Sequence, residues 1–245
     1  MSLERPGWRG KAGLVLPSGN TVTEPIFYAL APNGVSFHVA RTFIAGTRLD
    51  DLRAMEKDKD RAVRELASAR LDCIVDCCTA SGVLRGLTED IAFCKNIEQE
   101  TGLRASSTLQ AIADALRVLK LRKLVVTSPY PKEMEELERD FFVKNGFNIV
   151  NMKGLDIKEG WRFGQVSAQE IYRLCCEAWD SRADGLLISC MAMNSVPVIQ
   201  ALELALNVPV ITSNSATLWK ILQIMGVKEP IWGYGGLLSD YLFVE

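Results

Sequence analysis

Two cysteines stand at matching places along the chain, each at the end of a short apolar run. Cys78 ends the segment DCIVDCC and precedes Thr-Ala-Ser-Gly, and Cys190 ends the segment GLLISC and precedes Met-Ala-Met. A thiol acts as a nucleophile or an acid–base group once it can ionise, and a helix N-terminus beside it stabilises the thiolate. The sequence therefore predicts two reactive thiols, Cys78 and Cys190, at the C-terminal ends of two strands.

The other cysteines are predicted to be structural. Cys77 alternates with Cys78 and is expected to point away from the site, and buried, small apolar roles are expected for Cys73, Cys94, Cys175 and Cys176. The seven cysteines are odd in number and lie in apolar or helical patterns, so no disulfide framework is indicated. With one histidine, His38, and no CxxC pair, no zinc site is predicted. These features indicate a reducing, cytoplasmic compartment.

The composition of the 245 residues is that of a soluble globular protein, with 48% apolar and 24% charged residues. A formal net charge of −2 gives no footprint for nucleic acid or for an anionic membrane surface. No apolar run is long enough to cross a bilayer, and the N-terminal segment MSLERPGWRG lacks the apolar core of a signal peptide. We therefore expect neither a nucleic-acid partner nor a membrane partner.

Short apolar runs alternate with helical patterns, which predicts βαβ units and parallel sheets. Strands are predicted at residues 12–18, 35–41, 72–78, 103–108, 123–128, 147–152, 185–190 and 208–213. Helices are predicted over residues 58–70 and 107–121, the second with Ser/Thr at its N-cap.

An internal repeat relates the two halves of the chain. Arg70, Asp72, Cys78 and Ala80 recur 112 residues later as Arg182, Asp184, Cys190 and Ala192, and Asn33-Gly34 recurs at the same offset as Asn145-Gly146. A constant offset over separate blocks indicates duplication. We predict an N-terminal lobe of residues 1–108 plus 214–245 and a C-terminal lobe of residues 109–213. Strand ends of both lobes would then face one cleft, where open α/β sheets bind ligands.

Four segments resemble the maleate cis–trans isomerase group of the aspartate/glutamate racemase superfamily, which also contains arylmalonate decarboxylase and hydantoin racemase. These segments are LVLPSGNTVTEP (14–25), CCTASG (77–82), TSPYPKE (127–133) and DGLLISCMAM (184–193). The resemblance implies an α/β fold of two pseudo-symmetric Rossmann-like lobes, each with a mostly parallel sheet flanked by helices, and an active site in the cleft between them.

The resemblance also implies roles for individual residues. Cys78 matches the nucleophile and Cys190 its acid–base partner, while Asn20 and Tyr130 match residues that hold substrate carboxylates. Further substrate contacts are expected from the first loop and from the backbone after each cysteine: Pro17, Ser18, Thr79, Ala80, Met191 and Ala192. No cofactor and no metal are expected. The implied ligand is a small dicarboxylate, and the implied assembly is a homodimer or a higher homo-oligomer.

One departure from the family pattern concerns the loop LDIKEGWRFGQVS (155–167). Many maleate isomerases carry a carboxylate-binding asparagine in this loop, and here Gly160 stands in its place, beside Trp161 and Arg162. This departure leaves open a substrate other than maleate, with either a bulkier group or an anion contact from Arg162.

The reaction favoured by these residues is cis–trans isomerisation of maleate or a related cis-dicarboxylate through a covalent cysteine adduct. It requires a thiolate, so the helix terminus is expected to lower the pKa of Cys78 from about 8.5. Two opposed thiols fit amino-acid or hydantoin racemisation equally well. Arylmalonate decarboxylation needs a small residue at the first position, so Cys78 argues against it. A carboxylate-binding protein is the non-enzyme alternative, although binding alone needs no thiols.

Overall fold

Eight strands form two parallel sheets in a computed structural model that describes residues 6–242. The first sheet contains β1 (Gly10–Pro17), β2 (Val35–Thr42), β3 (Cys73–Asp76) and β4 (Arg104–Ser107), in the order β2-β1-β3-β4. The second contains β5 (Lys123–Ser128), β6 (Asn148–Gly154), β7 (Gly185–Ile188) and β8 (Val210–Thr212), in the order β6-β5-β7-β8. All eight predicted strands and the two-lobed parallel architecture are confirmed.

Helices connect the strands and cover the sheets. They are α1 (Thr23–Leu30), α2 (Leu49–Glu56), α3 (Lys59–Ala67), α4 (Thr79–Arg85), α5 (Leu87–Thr101), α6 (Thr108–Val118), α7 (Lys132–Lys144), α8 (Ala168–Ala178), α9 (Ile199–Leu206), α10 (Ser213–Ile224) and α11 (Gly236–Ser239). Short 3₁₀ turns cover Gly160–Gln165 and Val196–Val198. The predicted helices 58–70 and 107–121 are confirmed as α3 and α6. Both end earlier than predicted, since Arg70 and Lys120 adopt positive φ. Between residues 6 and 242, no helix is long and apolar enough to cross a membrane.

The internal repeat is visible in the hydrogen bonds as well as in the strand order. The Asp72 carboxylate accepts the backbone N–H of Lys11, and the Asp184 carboxylate accepts that of Lys123, both at 2.8 Å. Gly34 and Gly146 share a φ of +86°, as the repeated Asn-Gly turns require. The two halves therefore repeat one backbone design.

Helices α6 and α10, which follow the last strand of each sheet, pack against one another. Helix α10 also contacts β8 of the second sheet and β3 and β4 of the first. The assignment of residues 214–245 to the first lobe stays a prediction, because α10 touches both sheets. The ends of the proposed ranges, residues 1–5 and 243–245, lie outside the described residues.

The cysteines occupy the predicted apolar interior with one exception. Cys73, Cys94 and Cys175 are buried, but Cys176 is exposed. Helix α8 turns Ile171, Leu174, Cys175 and Ala178 toward the core, so the residue after Cys175 falls on the solvent side. The prediction of a buried Cys176 was wrong.

Candidate active site

A cavity of about 450 Å³ lies between the lobes, at the C-terminal ends of both sheets. Parallel strands bring their carboxyl ends to the same edge of a sheet, which is why the two strand-end cysteines meet there. Nine of the ten predicted site residues line this cavity: Pro17, Asn20, Cys78, Thr79, Ala80, Tyr130, Cys190, Met191 and Ala192.

Ser18, the tenth predicted residue, is not among the lining residues. Its hydroxyl accepts the backbone N–H of Ile44 at 3.1 Å. Ile44 itself lines the cavity, so Ser18 supports the wall rather than forming it. Cys77 contributes to the lining, but its thiol is directed to the carbonyl of Val75 at 3.5 Å and is fully buried.

Cys78 is the N-cap residue of α4 and has an ordinary extended backbone, with φ −141°. Burial raises the pKa of its thiol, while the Lys59 ammonium and the Ser81 N–H and hydroxyl act to lower it and Asp76 to raise it. The predicted lowering of this pKa is therefore not what the structure shows. In the ligand-free cavity, loss of water outweighs the stabilisation from the helix terminus and the cation.

A network of buried charges lies beneath Cys78. The Lys59 ammonium is 2.6 Å from both Asp76 and Glu56, and its side chain is only 1% exposed. Arg85, at the C-terminal end of α4, reaches Glu56 and Asp76 at 2.5 Å and Asp90 at 2.6 Å. Burial alone would raise the pKa of Asp76, but Lys59 and Arg85 hold it below its ordinary value. The network joins α2, α3, α4 and α5 to β3, which ends two residues before Cys78.

Cys190 has a different backbone and different neighbours. Its φ is +105°, a conformation that non-glycine residues rarely adopt, and its N–H donates to the Ser213 hydroxyl at 3.0 Å. Burial raises the pKa of Cys190 to about 12; the Ala192 backbone and the Tyr130 hydroxyl lower it, and the charges of Cys78 and Glu138 raise it. Cys190 is thus held as a neutral thiol at neutral pH.

Tyr130 follows β5 and packs edge-to-face on Phe163, with ring centroids 5.9 Å apart. Burial, together with the nearby Cys190, Glu138 and Cys78, raises its pKa well above the ordinary value. The phenol therefore stays protonated and can donate a hydrogen bond into the cavity.

The Asn20 side chain shapes the first loop. Its carbonyl oxygen accepts the N–H groups of Val22 and Thr23, and its amide donates to the Thr23 hydroxyl at 2.9 Å. The Arg41 guanidinium donates hydrogen bonds to the backbone carbonyls of Ser18 and Asn20 in the same loop. Asn20 thus combines a turn role with a place on the cavity wall.

Hydrogen bonds across the cleft join the two cysteine segments. The Thr79 hydroxyl contacts the Ser213 hydroxyl at 2.9 Å, and Ser213 in turn accepts the N–H of Cys190. The sequence analysis did not identify Ser213, although Ser213 ends the predicted strand VPVITS just as Cys78 and Cys190 end theirs. Ser213 therefore joins the residue after Cys78 to the backbone of Cys190.

Two loops meet at the mouth of the cavity. The Thr47 hydroxyl, from the first lobe, donates to the Lys158 carbonyl at 2.6 Å. Gly160 and Trp161 line the cavity, and a side chain added at Gly160 would contact Thr47. Arg162 is not a lining residue; its guanidinium lies 3.4 Å from Glu159. No motif in the sequence points to the Ile44–Thr47 segment as part of the cavity.

The arylmalonate decarboxylase family model matches residues 13–238 of the chain. The chain belongs to the arylmalonate decarboxylase family. The predicted resemblance to the maleate isomerase and arylmalonate decarboxylase group is confirmed.

Curated relatives of this family member include two kinds of enzyme. Maleate isomerase of Geobacillus stearothermophilus is 24% identical over 243 residues, which cover 94% of this chain and 97% of that protein. Arylmalonate decarboxylase of Bordetella bronchiseptica is 25% identical over 167 residues, which cover 66% of this chain and 69% of that protein.

Solved structures show the same fold. A Nocardia farcinica maleate cis–trans isomerase, a cysteine-to-serine mutant with a covalently bound succinylcysteine intermediate, superimposes with a TM-score of 0.89 at 23% identity. The match covers 94% of this chain and 98% of the isomerase chain. Arylmalonate decarboxylase superimposes with a TM-score of 0.80 at 21% identity, and this match covers 93% of this chain and 98% of the decarboxylase chain.

Across residues 6–242 of this family member, no group of three His, Cys, Asp or Glu side chains is arranged to hold a metal ion. The polar residues that line the cavity supply thiols, a phenol, an amide and the hydroxyls of Thr47 and Thr79, and they include the ionisable Lys158 and Glu159. Thiols, phenols, amides and ammonium groups can bind carboxylates or transfer protons.

Proposed function

We propose that this protein is a cofactor-independent cis–trans isomerase of maleate or a substituted maleate, acting through a covalent adduct on Cys78. The observation that carries the proposal is the unequal environment of two thiols that line one cavity. The strongest charge acting on Cys78 is a cation, Lys59, whereas no cation is among the groups that shift the pKa of Cys190, which burial raises. A cation favours a thiolate nucleophile, and burial without a cation keeps the second thiol protonated, so that it has a proton to transfer.

The Cys78 thiol first loses its proton to water, and Lys59 favours the thiolate that results. This thiolate then adds to one alkene carbon. A C–S bond forms, and the π electrons move to the other carbon and its carboxylate as an enediolate. The Cys190 thiol then donates its proton to that carbon, which leaves a Cys190 thiolate and a succinyl-type adduct with a single C–C bond. Rotation about this bond, return of the proton to Cys190 and cleavage of the C–S bond release the trans product.

The substrate carboxylates need hydrogen-bond donors already in position, because charge develops on them during addition. Tyr130 stays protonated and lies beside Cys190, and Asn20 offers its second amide hydrogen. The backbone N–H groups that follow the two cysteines, at Thr79, Ala80, Met191 and Ala192, complete the set.

The size and walls of the cavity support a substituted substrate. A volume of about 450 Å³ suits a ligand larger than a four-carbon diacid. Its walls include the apolar side chains of Ile44, Leu52, Met134, Trp161 and Phe163. An alkyl or aryl group on the alkene would fill this space, while the small Gly160 leaves room at the mouth.

Racemisation of an α-substituted acid is the second candidate. Two thiols lining one cavity could remove and return an α-proton on opposite faces, which is two-base chemistry. Decarboxylation of an arylmalonate remains an alternative through the family, but it leaves Cys78 without a role. A non-catalytic carboxylate binder would use neither thiol.

The test is incubation with maleate, methylmaleate and phenylmaleate without cofactor, followed by proton NMR. Trans product is expected, with turnover reduced about 10³-fold or more in Cys78→Ser. Intact mass should show a substrate adduct on Cys190→Ala, and this adduct should be absent from Cys78→Ser/Cys190→Ala. Cys77→Ser is the matched control and should retain activity. Deuterium incorporation at a chiral α-carbon, without isomerisation, would support the racemase instead.

A reducing, cytoplasmic setting is also proposed, since the seven cysteines are free. The homodimer or higher homo-oligomer stays a prediction. Light scattering during size-exclusion chromatography would determine the oligomeric state.

A further inference from the structure

Glu138 is a buried carboxylic acid that the proposed reaction does not use. It lies in the middle of α7 and is 0% exposed. No cation is among the groups that set its pKa, which burial raises to about 8; the Ser189 hydroxyl lowers this pKa and Glu135 raises it. The carboxyl is therefore mostly protonated at neutral pH.

The hydrogen bonds of Glu138 fit a neutral acid. Oε1 accepts the Ser189 hydroxyl at 2.5 Å. Oε2 is buried and has no hydrogen-bond partner among residues 6–242. A buried carboxylate with an unsatisfied oxygen would be costly, whereas Oε2 can carry the acid proton.

Ser189 directly precedes Cys190, where the backbone is strained. The φ of +105° at Cys190 is strained for a residue with a side chain and persists only when its surroundings fix it. The Ser189 N–H donates to the Thr127 carbonyl at 2.7 Å, and the Cys190 N–H donates to the Ser213 hydroxyl. The Ser189–Glu138 hydrogen bond is a further side-chain contact that restrains this turn.

We propose that Glu138 is a positioning residue for Cys190: its carboxyl binds the Ser189 hydroxyl and so holds the strained strand end that presents the Cys190 thiol to the cavity beside Tyr130. The proposal rests on the proposed function in that Cys190 is the proton donor there. Glu138 itself is not a cavity-lining residue and acts through Ser189.

The protonation state of Glu138 should reach Cys190 as well. When ionised, the carboxylate opposes negative charge on Cys190 and on Tyr130, whose pKa values it raises. Titratable or charged groups on the neighbouring elements are Glu135 on α7, Cys78 and Arg85 at the two ends of α4, and Lys153 on β6, which is paired with Glu177. Among these, Glu135 is the one that shifts the pKa of Glu138 itself.

Glu138→Gln separates charge from position, because the amide oxygen can still accept the Ser189 hydroxyl. The ratio of variant to wild-type kcat on a cis-diacid is expected to rise from about one near pH 6.5 to about three- to tenfold near pH 9. The reason is that only the wild type acquires a negative charge beside Cys190 as the pH passes through about 8. Glu136→Gln removes an exposed carboxylate from the same helix and should give a ratio that does not change with pH.

Glu138→Leu and Ser189→Ala remove the positioning bond. Each is expected to lower kcat about tenfold or more with KM changed less than about twofold, because the displaced thiol affects the chemical step and not carboxylate binding. Glu138→Gln should retain wild-type kcat near pH 6.5. Equal losses in the Leu and Gln variants at that pH would contradict a hydrogen-bonded positioning role.

A measurement that needs no turnover distinguishes a failure of this proposal from a failure of the proposed function. In Cys78→Ser protein, alkylation of Cys190 by iodoacetamide is followed by peptide mapping, with exposed Cys176 as the internal reference. Glu138→Gln should speed Cys190 alkylation near pH 9.5 by about threefold or more relative to Cys176. Unchanged ratios in both alkylation and kcat would overturn the proposal. A changed alkylation ratio in a protein that isomerises no cis-diacid would support the role of Glu138 and count against the isomerase.

Discussion

In the first lobe Cys78 lies above a network of paired buried charges, whereas in the second lobe Cys190 lies near one unpaired buried carboxyl. The backbone differs as well, since Cys78 is extended at φ −141° and Cys190 is strained at φ +105°. The strand order and the Asn-Gly turns at Gly34 and Gly146 are otherwise repeated. The duplicated fold therefore places two equal thiols, and the surrounding side chains make them unequal.

The difference can be read at matching positions of the repeat. The residues 112 positions after Lys59 and Asp76 are Ile171 and Ile188, and the residue 112 positions before Glu138 is Ile26. Each charged group thus occurs in one lobe only, with an apolar residue as its counterpart. The different roles that we propose for the two thiols would follow from these side chains and not from the fold.

The largest expected effect in this comparison comes from Lys59→Met, which removes the cation under Cys78. Glu56 and Asp76 then lose their buried partner, and the free energy of unfolding should fall by about 3–5 kcal/mol. Urea unfolding at neutral pH measures this loss. The Cys78 pKa should rise further, so its alkylation should slow by about tenfold.

Lys57→Met is the matched control, because Lys57 is exposed two positions earlier. It should change the free energy of unfolding by about 0.5 kcal/mol or less. Should Lys59→Met leave Cys78 alkylation at the wild-type rate, the cation would not be what separates the two thiols.

The second prediction concerns pH and the second lobe. The pKa of Glu138 is about 8 in the folded protein against 4.5 for the free side chain. Between these values the unfolded chain has released a proton that the folded protein retains, so wild-type stability falls as pH rises and then levels off above about 8. Glu138→Gln has no carboxyl at this position to titrate. The difference between its free energy of unfolding and that of the wild type should therefore increase by about 2–4 kcal/mol in favour of the variant between about pH 5 and pH 8.

Denaturant titrations of both proteins at several pH values measure this difference, and Glu136→Gln should show none. A difference that is constant with pH would mean that the folded protein holds Glu138 ionised. The two lobes would then no longer differ in the way described, with paired buried charges in the first lobe and a neutral, unpaired carboxyl in the second.

Much of this arrangement was predictable because it depends on local pattern and repetition. Alternating apolar and helical runs identified every strand, and the offset of 112 residues paired Cys78 with Cys190. Asn20 and Tyr130 were placed at the cleft by the family resemblance, because a polar residue after a strand fits a turn equally well.

The remaining features depend on contacts between distant segments, which a sequence pattern does not contain. The helical run around Lys59 resembles a solvated face, yet the fold buries that ammonium against Asp76. Glu138 likewise sits among the charged residues of α7 and is distinguished only by its burial. The pKa of Cys78 was expected to be low because helix-terminus stabilisation is local, whereas desolvation depends on the whole cavity.

The smallest predicted effect tests the bridge between the two thiol segments. Thr79→Val keeps the side-chain shape but removes the hydroxyl that contacts Ser213, so about 1 kcal/mol of stability should be lost. Ser213 still accepts the N–H of Cys190, but without its partner from the first lobe its hydroxyl is less fixed, and kcat should fall by about threefold to tenfold. Thr79→Ser retains the hydroxyl and should restore both quantities. If Thr79→Val matched the wild type in denaturation and in kcat, each thiol would be positioned by its own lobe, and the asymmetry between them would arise without any coupling across the cleft.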